Sequence, residues 1–130
     1  MPRKTLKIDN PALDALPFSA GAYAGRTLFL SGQVGLDPAT GKVVKGGAAA
    51  ETEQPLRNIE AALATAGATL GDVVKANVYL AHMDDYAAMN EAYARMFEKP
   101  YPARTCVGVV ALPLGARVEI EVAVRRPRRR

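Results

Sequence analysis

Pro102-Ala103-Arg104-Thr105-Cys106-Val107 and, beyond a Pro-Leu-Gly turn, Val118-Glu119-Ile120-Glu121-Val122-Ala123-Val124 are the stretches whose reading decides the fold. In the second, branched aliphatic residues take every other position and the glutamates fall between them. Successive side chains of a strand point to opposite faces, so Val118, Ile120, Val122 and Val124 are expected on a core and Glu119 and Glu121 on the other face. In the first stretch Arg104 and Cys106 share one parity, and Thr105, Val107 and Val109 the other. If the two strands pair, the face away from the core carries Arg104, Cys106, Glu119 and Glu121. Two readings follow. Arg104 and a glutamate form a cross-strand ion pair on a wet face, worth under about 1 kcal/mol, or Arg104 grips a small carboxylate while Glu119 handles water or protons.

Upstream, Asn10-Pro11 and Leu16-Pro17 mark an irregular segment, because proline pushes its predecessor away from helix. Tyr23-Ala24-Gly25-Arg26 reads as a strand end and turn, Thr27 to Gln33 as a strand, and Asp37 to Lys42 as turn chemistry. Thr52, Leu56, Ile59, Leu63 and Ala66 form a helical stripe with Gly67 suited to its C-terminal cap. Pro55 requires either a start close to it or a kink in a helix begun near Ala49. Val73 to Leu80 reads as a strand. Asp84 or Asp85 caps a second helix that buries Tyr86, Met89, Tyr93 and Met96-Phe97, and Lys99 to Pro102 ends it. The order strands, helix, strand, helix, two strands predicts a single α+β domain over 1–130, with two helices on one face of a mixed sheet.

At 130 residues the chain is large enough for a core without staples. No stretch approaches the roughly 20 apolar residues of a membrane span. The charged N-terminus lacks the apolar region of a secretory signal. One cysteine excludes an internal disulfide and fits a reducing compartment, so a cytoplasmic location is expected. The net charge of +4 has a local source: Arg125, Arg126, Arg128, Arg129 and Arg130 are five of seventeen basic residues, leaving twelve against thirteen acids. The expectation is a solvated, disordered basic tail at about 125–130, and not a folded nucleic-acid-binding face.

Pro17-Phe18-Ser19, Leu28-Phe29-Leu30-Ser31-Gly32-Gln33, Asp72-Val73-Val74-Lys75, Met83-Asp84-Asp85-Tyr86, Asn90-Glu91-Ala92-Tyr93, Pro102 to Val107 and Val118 to Glu121 together resemble the Rid family, the reactive intermediate deaminases also called YjgF. The resemblance covers nearly the whole chain. It implies a chorismate-mutase-like α+β unit that trimerises through its open sheet face, with sites in clefts between subunits. The activity it implies is hydrolysis of 2-imino acids such as 2-iminopropanoate and 2-iminobutanoate to 2-keto acids and ammonia, without metal or cofactor. Arg104 and Glu119 are then catalytic, with Arg104, Gly32, Ser31, Cys106, Phe18 and Asn90 around the substrate. Phe18 stands where the family carries a tyrosine, so a hydroxyl is missing and Phe18 is expected only as a wall. Asn90 lines the cleft or remains a helix-surface amide. Gly108 replaces a glutamate common in the family.

Other chemistries find little support. Cys106 as a nucleophile needs a base, and the only histidine is His82, on a loop after a strand. One histidine and one cysteine leave no soft-metal site. Ser31-Gly32 lacks the flanking glycines of a nucleophile elbow, and the glycines at 32, 35, 46 and 47 are too sparse for a phosphate loop. Two alternatives to the deaminase remain: an RNA-directed activity (ribonuclease or translation inhibition) suggested by the arginine tail, and a ligand-binding trimer without efficient turnover, suggested by Phe18.

Overall fold

Val118–Arg125, marked as a strand by its alternation, takes a central place in the sheet. In the structure, a computed structural model that describes residues 2–127, one sheet is built from β1 (Thr5–Leu6), β2 (Gly21–Ala24), β3 (Thr27–Leu30), β4 (Gln33–Val34), β5 (Val73–Leu80), β6 (Ala103–Gly108) and β7 (Val118–Arg125). Its order is β1-β2-β3-β7-β5-β6, with β4 also pairing with β7. All pairings are antiparallel except β5 with β6. A short helix α1 (Pro11–Asp14) lies near the N-terminus, and α2 (Gly47–Thr65) and α3 (Tyr86–Met96) are the two main helices.

The expected parity of β7 holds: Val118, Ile120, Val122 and Val124 are buried, while Glu119 and Glu121 are half-buried on the opposite face. Ala76, Val78 and Leu80 of β5 face the same core, where they meet Leu56, Ile59 and Leu63 of α2 and Met89 and Tyr93 of α3. Each such aliphatic side chain withdrawn from water contributes about 1.5–3 kcal/mol. The helical stripe predicted from Thr52 onward is therefore the face α2 buries. Pro55 sits inside the helix and is itself buried, so α2 extends well ahead of it. Gly67 follows the last turn at φ 72°, and the Ala68 amide reaches back to the Leu63 carbonyl at 2.9 Å.

Two local expectations are corrected. The strand read as Thr27 to Gln33 breaks at Ser31-Gly32 into β3 and β4. There the Ser31 amide turns to the Ala20 carbonyl (2.9 Å) and its hydroxyl donates to the Ser19 carbonyl (2.6 Å). Asp85 occupies the position before α3 but makes no capping bond. Its carboxylate instead accepts from the Arg117 guanidinium, at 2.9 and 3.3 Å. The Arg117 amide donates to the buried Glu51 carboxylate at 2.8 Å. Arg117 thus ties the start of α3 and the first half of α2 to the start of β7.

The basic tail is also corrected in part. Arg125 belongs to β7 and is paired with Thr27, and the Arg126 amide donates to the Arg26 carbonyl at 2.8 Å. These two arginines belong to the folded body; Arg128 to Arg130 lie outside the described residues. Among the described residues no helix is long and apolar enough to cross a membrane.

Candidate active site in two halves

The strand order decides where Arg104 points, and it overturns the expectation of one shared face. β6 does not pair with β7, because β5 lies between them. The parallel register sets Arg104 beside Ala76 and Cys106 beside Val78, residues of the core face. Glu119 and Glu121 are level with Tyr79 and Asn77 on the opposite face. Arg104 and Cys106 are therefore on the helix-covered side of the sheet, and the glutamates are on the open side. Two strand spacings, roughly 10 Å, also separate β6 from β7. Within one chain the guanidinium and the Glu119 carboxylate cannot share a crevice, and the cross-strand ion pair is excluded with it.

The Arg104 half is a cradle on α3. The guanidinium lies 4.9 Å from the centre of the Tyr93 ring and 5.8 Å from that of Tyr86, with Nη2 3.4 Å from the Tyr86 hydroxyl and Nη1 3.6 Å from Met89 Sδ. Stacking on aromatic faces holds a cation without neutralising it. Arg104 therefore keeps its charge free for an incoming anion, and no carboxylate is among these partners. Asn90, Tyr93, Tyr101, Pro102 and Arg104 line a cleft of about 250 Å³. Asn90 is thus a wall of the Arg104 cleft, not a remote surface amide. The Tyr93 hydroxyl is buried without a hydrogen-bond partner among the described residues. Burial, partly offset by the Arg104 charge, pushes it up to about 12, so it stays a neutral donor.

Cys106 packs half-buried against the core. Burial pushes its thiol up, against a smaller opposite pull from Arg104, the reverse of what a nucleophile needs. His82 is exposed and lies four residues past Val78, the residue level with Cys106. β5 ends at Leu80, before His82, and among the described residues no hydrogen bond joins His82 to Cys106, so the thiol has no base beside it.

The Glu119 half gathers at the β3–β4 break. Gly32 lies so close to Glu119 that a side-chain carbon on it would stand 3.0 Å from the carboxyl carbon, so the position admits only glycine while Glu119 stays in place. Ser31 is beside it, its hydroxyl engaged with Ser19. Phe18 is half exposed and lines a cleft with Pro17, Ser19, Phe29 and Ser31. Burial, then the neighbouring Glu121 charge, raise the Glu119 carboxyl above its ordinary range. Glu121 is fixed by the Tyr79 hydroxyl and by Asn77 Nδ2 at 3.2 Å. That hydrogen bond, with burial, pushes Tyr79 up to about 12. Among the described residues no cluster of His, Cys, Asp and Glu fit to hold a metal ion is found.

The structure thus sorts the seven sequence candidates into two groups, Arg104, Cys106 and Asn90 against Glu119, Gly32, Ser31 and Phe18. Sequence reasoning missed Tyr93, Tyr86 and Met89 as the cradle of Arg104, having assigned them to the buried stripe of α3. Their spacing reads equally well as a core stripe, and only the place of β6 at the sheet edge brings Arg104 against them.

Comparison with known proteins agrees with this architecture. Residues 10–125 match the family model described as Endoribonuclease L-PSP. A goat protein named 2-iminobutanoate/2-iminopropanoate deaminase is 46% identical over 112 residues, 85% of this chain and 82% of the relative. The human protein of the same name is 43% identical over the same shares. Among solved structures, RidA from the Antarctic bacterium Psychrobacter sp. PAMC 21119 superposes with a TM-score of 0.86 at 40% identity, covering 95% of this chain and 99% of that one. E. coli TdcF with bound serine gives 0.80 at 32% identity, covering 85% and 89%. With one mixed sheet under two helices and a family match across almost its whole length, the chain belongs to the Rid (YjgF, L-PSP) family.

Proposed function

We propose that this protein is an imine deaminase that hydrolyses small 2-imino acids, 2-iminopropanoate and 2-iminobutanoate among them, to 2-keto acids and ammonia. One observation carries the reading: Arg104 is held by aromatic rings and a thioether, with no carboxylate among those partners, at the mouth of a cleft sized for a small molecule. A guanidinium kept in that way is a receptor for a carboxylate, which it binds through two parallel hydrogen bonds.

The opposite orientation of Glu119 bears on assembly. Each chain carries an anion-binding half and a proton-handling half that cannot meet, so a complete site needs the Arg104 half of one copy against the Glu119 half of another. The exposed Phe29 and Val107 on the open sheet face support association of copies through that face. A closed homotrimer, as the resemblance implies, gives three identical composite sites. The lone, half-buried cysteine fits a reducing, cytoplasmic setting.

In such a site the substrate carboxylate is bound by Arg104, and the imine carbon lies against the Gly32 backbone of the neighbour. Glu119 takes a proton from water as its oxygen bonds to the carbon of the C=N group, forming a carbinolamine. Starting from the protonated imine, the same carboxyl returns that proton to nitrogen, ammonia leaves as the C–N bond breaks, and the hydroxyl passes its proton to the Glu119 carboxylate as the carbonyl forms, for release to solvent. A carboxyl raised by burial and by Glu121 suits this two-way traffic, because it both accepts and donates more readily near neutral pH. The chemistry uses no cofactor.

The test is a coupled assay in which a serine or threonine dehydratase generates the imine and its decay is followed with and without the protein. Faster decay with the wild type, abolished in Arg104→Ala, is expected. Equal decay in all three reactions eliminates the deaminase reading.

A further inference from the structure

The start of β1, the turn between β2 and β3, the end of β7 and the C-terminus of α2 meet at a corner that carries neither half of the active site. Lys4, Tyr23, Arg26, Arg126 and Pro127, with Thr65 to Gly67, line a cleft there of about 770 Å³. The Lys4 ammonium lies 5.3 Å from the Tyr23 ring centre and the Arg126 guanidinium 4.9 Å from it. Arg26 and Arg126 are bound reciprocally: the Arg126 amide donates to the Arg26 carbonyl at 2.8 Å, and Arg26 Nη2 donates to the Arg126 carbonyl at 2.7 Å. The Tyr23 amide donates to the Lys4 carbonyl at 2.9 Å. The three cations are thus anchored through backbone and ring.

Among the described residues no carboxylate lines this cleft. Residues 2–7, 15–36, 61–71 and 122–127 contain no aspartate or glutamate. The salt bridges among the described residues join Arg57 to Glu53, Arg95 to Glu91 and Arg117 to Asp85, and none involves Lys4, Arg26 or Arg126. The carbonyl end of α2 faces the cleft and explains some of the positive charge. A helix C-terminus is equivalent to about half an elementary negative charge, which leaves more than two of the three positive charges uncompensated. The imino-acid carboxylate carries one charge and already has Arg104, so the corner is not a second copy of that site. Its charge, and the planar donors of two arginines, match a ligand with several negative charges in a row.

We propose that this corner is a binding site for an oligophosphate, either the phosphate chain of a nucleotide or a free inorganic oligophosphate. The test is isothermal titration calorimetry of the full chain with tripolyphosphate and, separately, with a nucleoside triphosphate, at about 50 and 200 mM salt. One ligand per chain, binding more weakly at the higher salt, is expected. Lys4→Gln and Arg26→Gln should each weaken it about tenfold, the loss of one charge-assisted hydrogen bond. Equal affinities would assign the phosphates as the whole determinant, and tighter binding of the nucleotide would add its nucleoside. Removing Arg128 to Arg130 should leave saturable one-to-one binding, since Lys4, Arg26 and Arg126 remain in place. Deaminase turnover, which uses neither Lys4 nor Arg26, reports that the variants are folded, and Lys4→Gln spares the Arg26–Arg126 bonds. No saturable binding, equal binding by wild type and Lys4→Gln, loss on removing Arg128 to Arg130, or binding only to single-stranded RNA with affinity rising with length would each overturn the assignment.

Discussion

The two halves of the candidate site differ in kind. Arg104 sits on the helix-covered side of an edge strand, against rings and a thioether that belong to the core. Glu119 sits on the open side of the central strand, among polar groups and another carboxylate. The first is built from hydrophobic packing, so damage to it costs stability. The second is built from charges on a face no helix covers, so damage to it changes acidity and leaves the fold largely intact. Under the proposed function, separation of a charge receptor from a proton carrier by the thickness of a sheet requires copies of the chain to associate.

The sharpest way to break this comparison is to divide the halves between chains. Arg104→Ala and Glu119→Gln should each lower kcat/KM by about 10²–10⁴-fold. Unfolded and refolded together in equal amounts, they should recover about a quarter of wild-type activity, because a quarter of composite sites draw both intact halves when neighbours mix at random. No recovery would place both halves within one chain.

Stability separates the halves next. Met89 is fully buried beneath Arg104, so Met89→Ala should cost about 2–5 kcal/mol in denaturant unfolding. Glu121→Gln should cost under about 1 kcal/mol, and comparable losses would dissolve the distinction.

The acidity of Glu119 offers a finer test. Its folded-state carboxyl is raised, so in the window from its ordinary range up to its folded value the native state binds the proton more tightly than the unfolded one. Its contribution to stability therefore falls as pH rises through that window. Glu119→Gln should flatten this part of the stability profile. Since Glu121 contributes to the shift, Glu121→Gln should move the acid limb of the kcat/KM profile to lower pH. A limb that stays put would mean that burial alone sets the carboxyl.

The smallest effect is expected far from both halves. Arg57 and Glu53 are an exposed pair one helical turn apart, at 2.9 Å. Arg57→Ala should change stability by no more than about 0.5 kcal/mol and leave turnover unchanged.

Much of this architecture was legible in the chain. The period of two in Val118 to Val124 and the helical stripe from Thr52 to Leu63 each identify a buried face, since local geometry ties side-chain direction to position. The chain offered Arg104, Cys106 and Asn90, together with Glu119, Gly32, Ser31 and Phe18, as candidates for one site, but not their division between two faces of the sheet. Nor was the pairing of Arg125 with Thr27, or the folding of Arg126 onto Arg26, a hundred residues away in sequence.

What the sequence alone determined is which residues of each strand or helix go together: the valines with Ile120, Glu119 with Glu121, Arg104 with Cys106. Alternation binds neighbours within an element and says nothing about which way a second element is turned. Only the tertiary structure decided that β5 stands between β6 and β7, that β6 runs parallel to it in the register setting Arg104 beside Ala76, and hence that the cation and the carboxylate face opposite ways. Strand order and register arise from hydrogen bonds and packing between distant segments, and those long-range pairings leave no periodic mark on the chain.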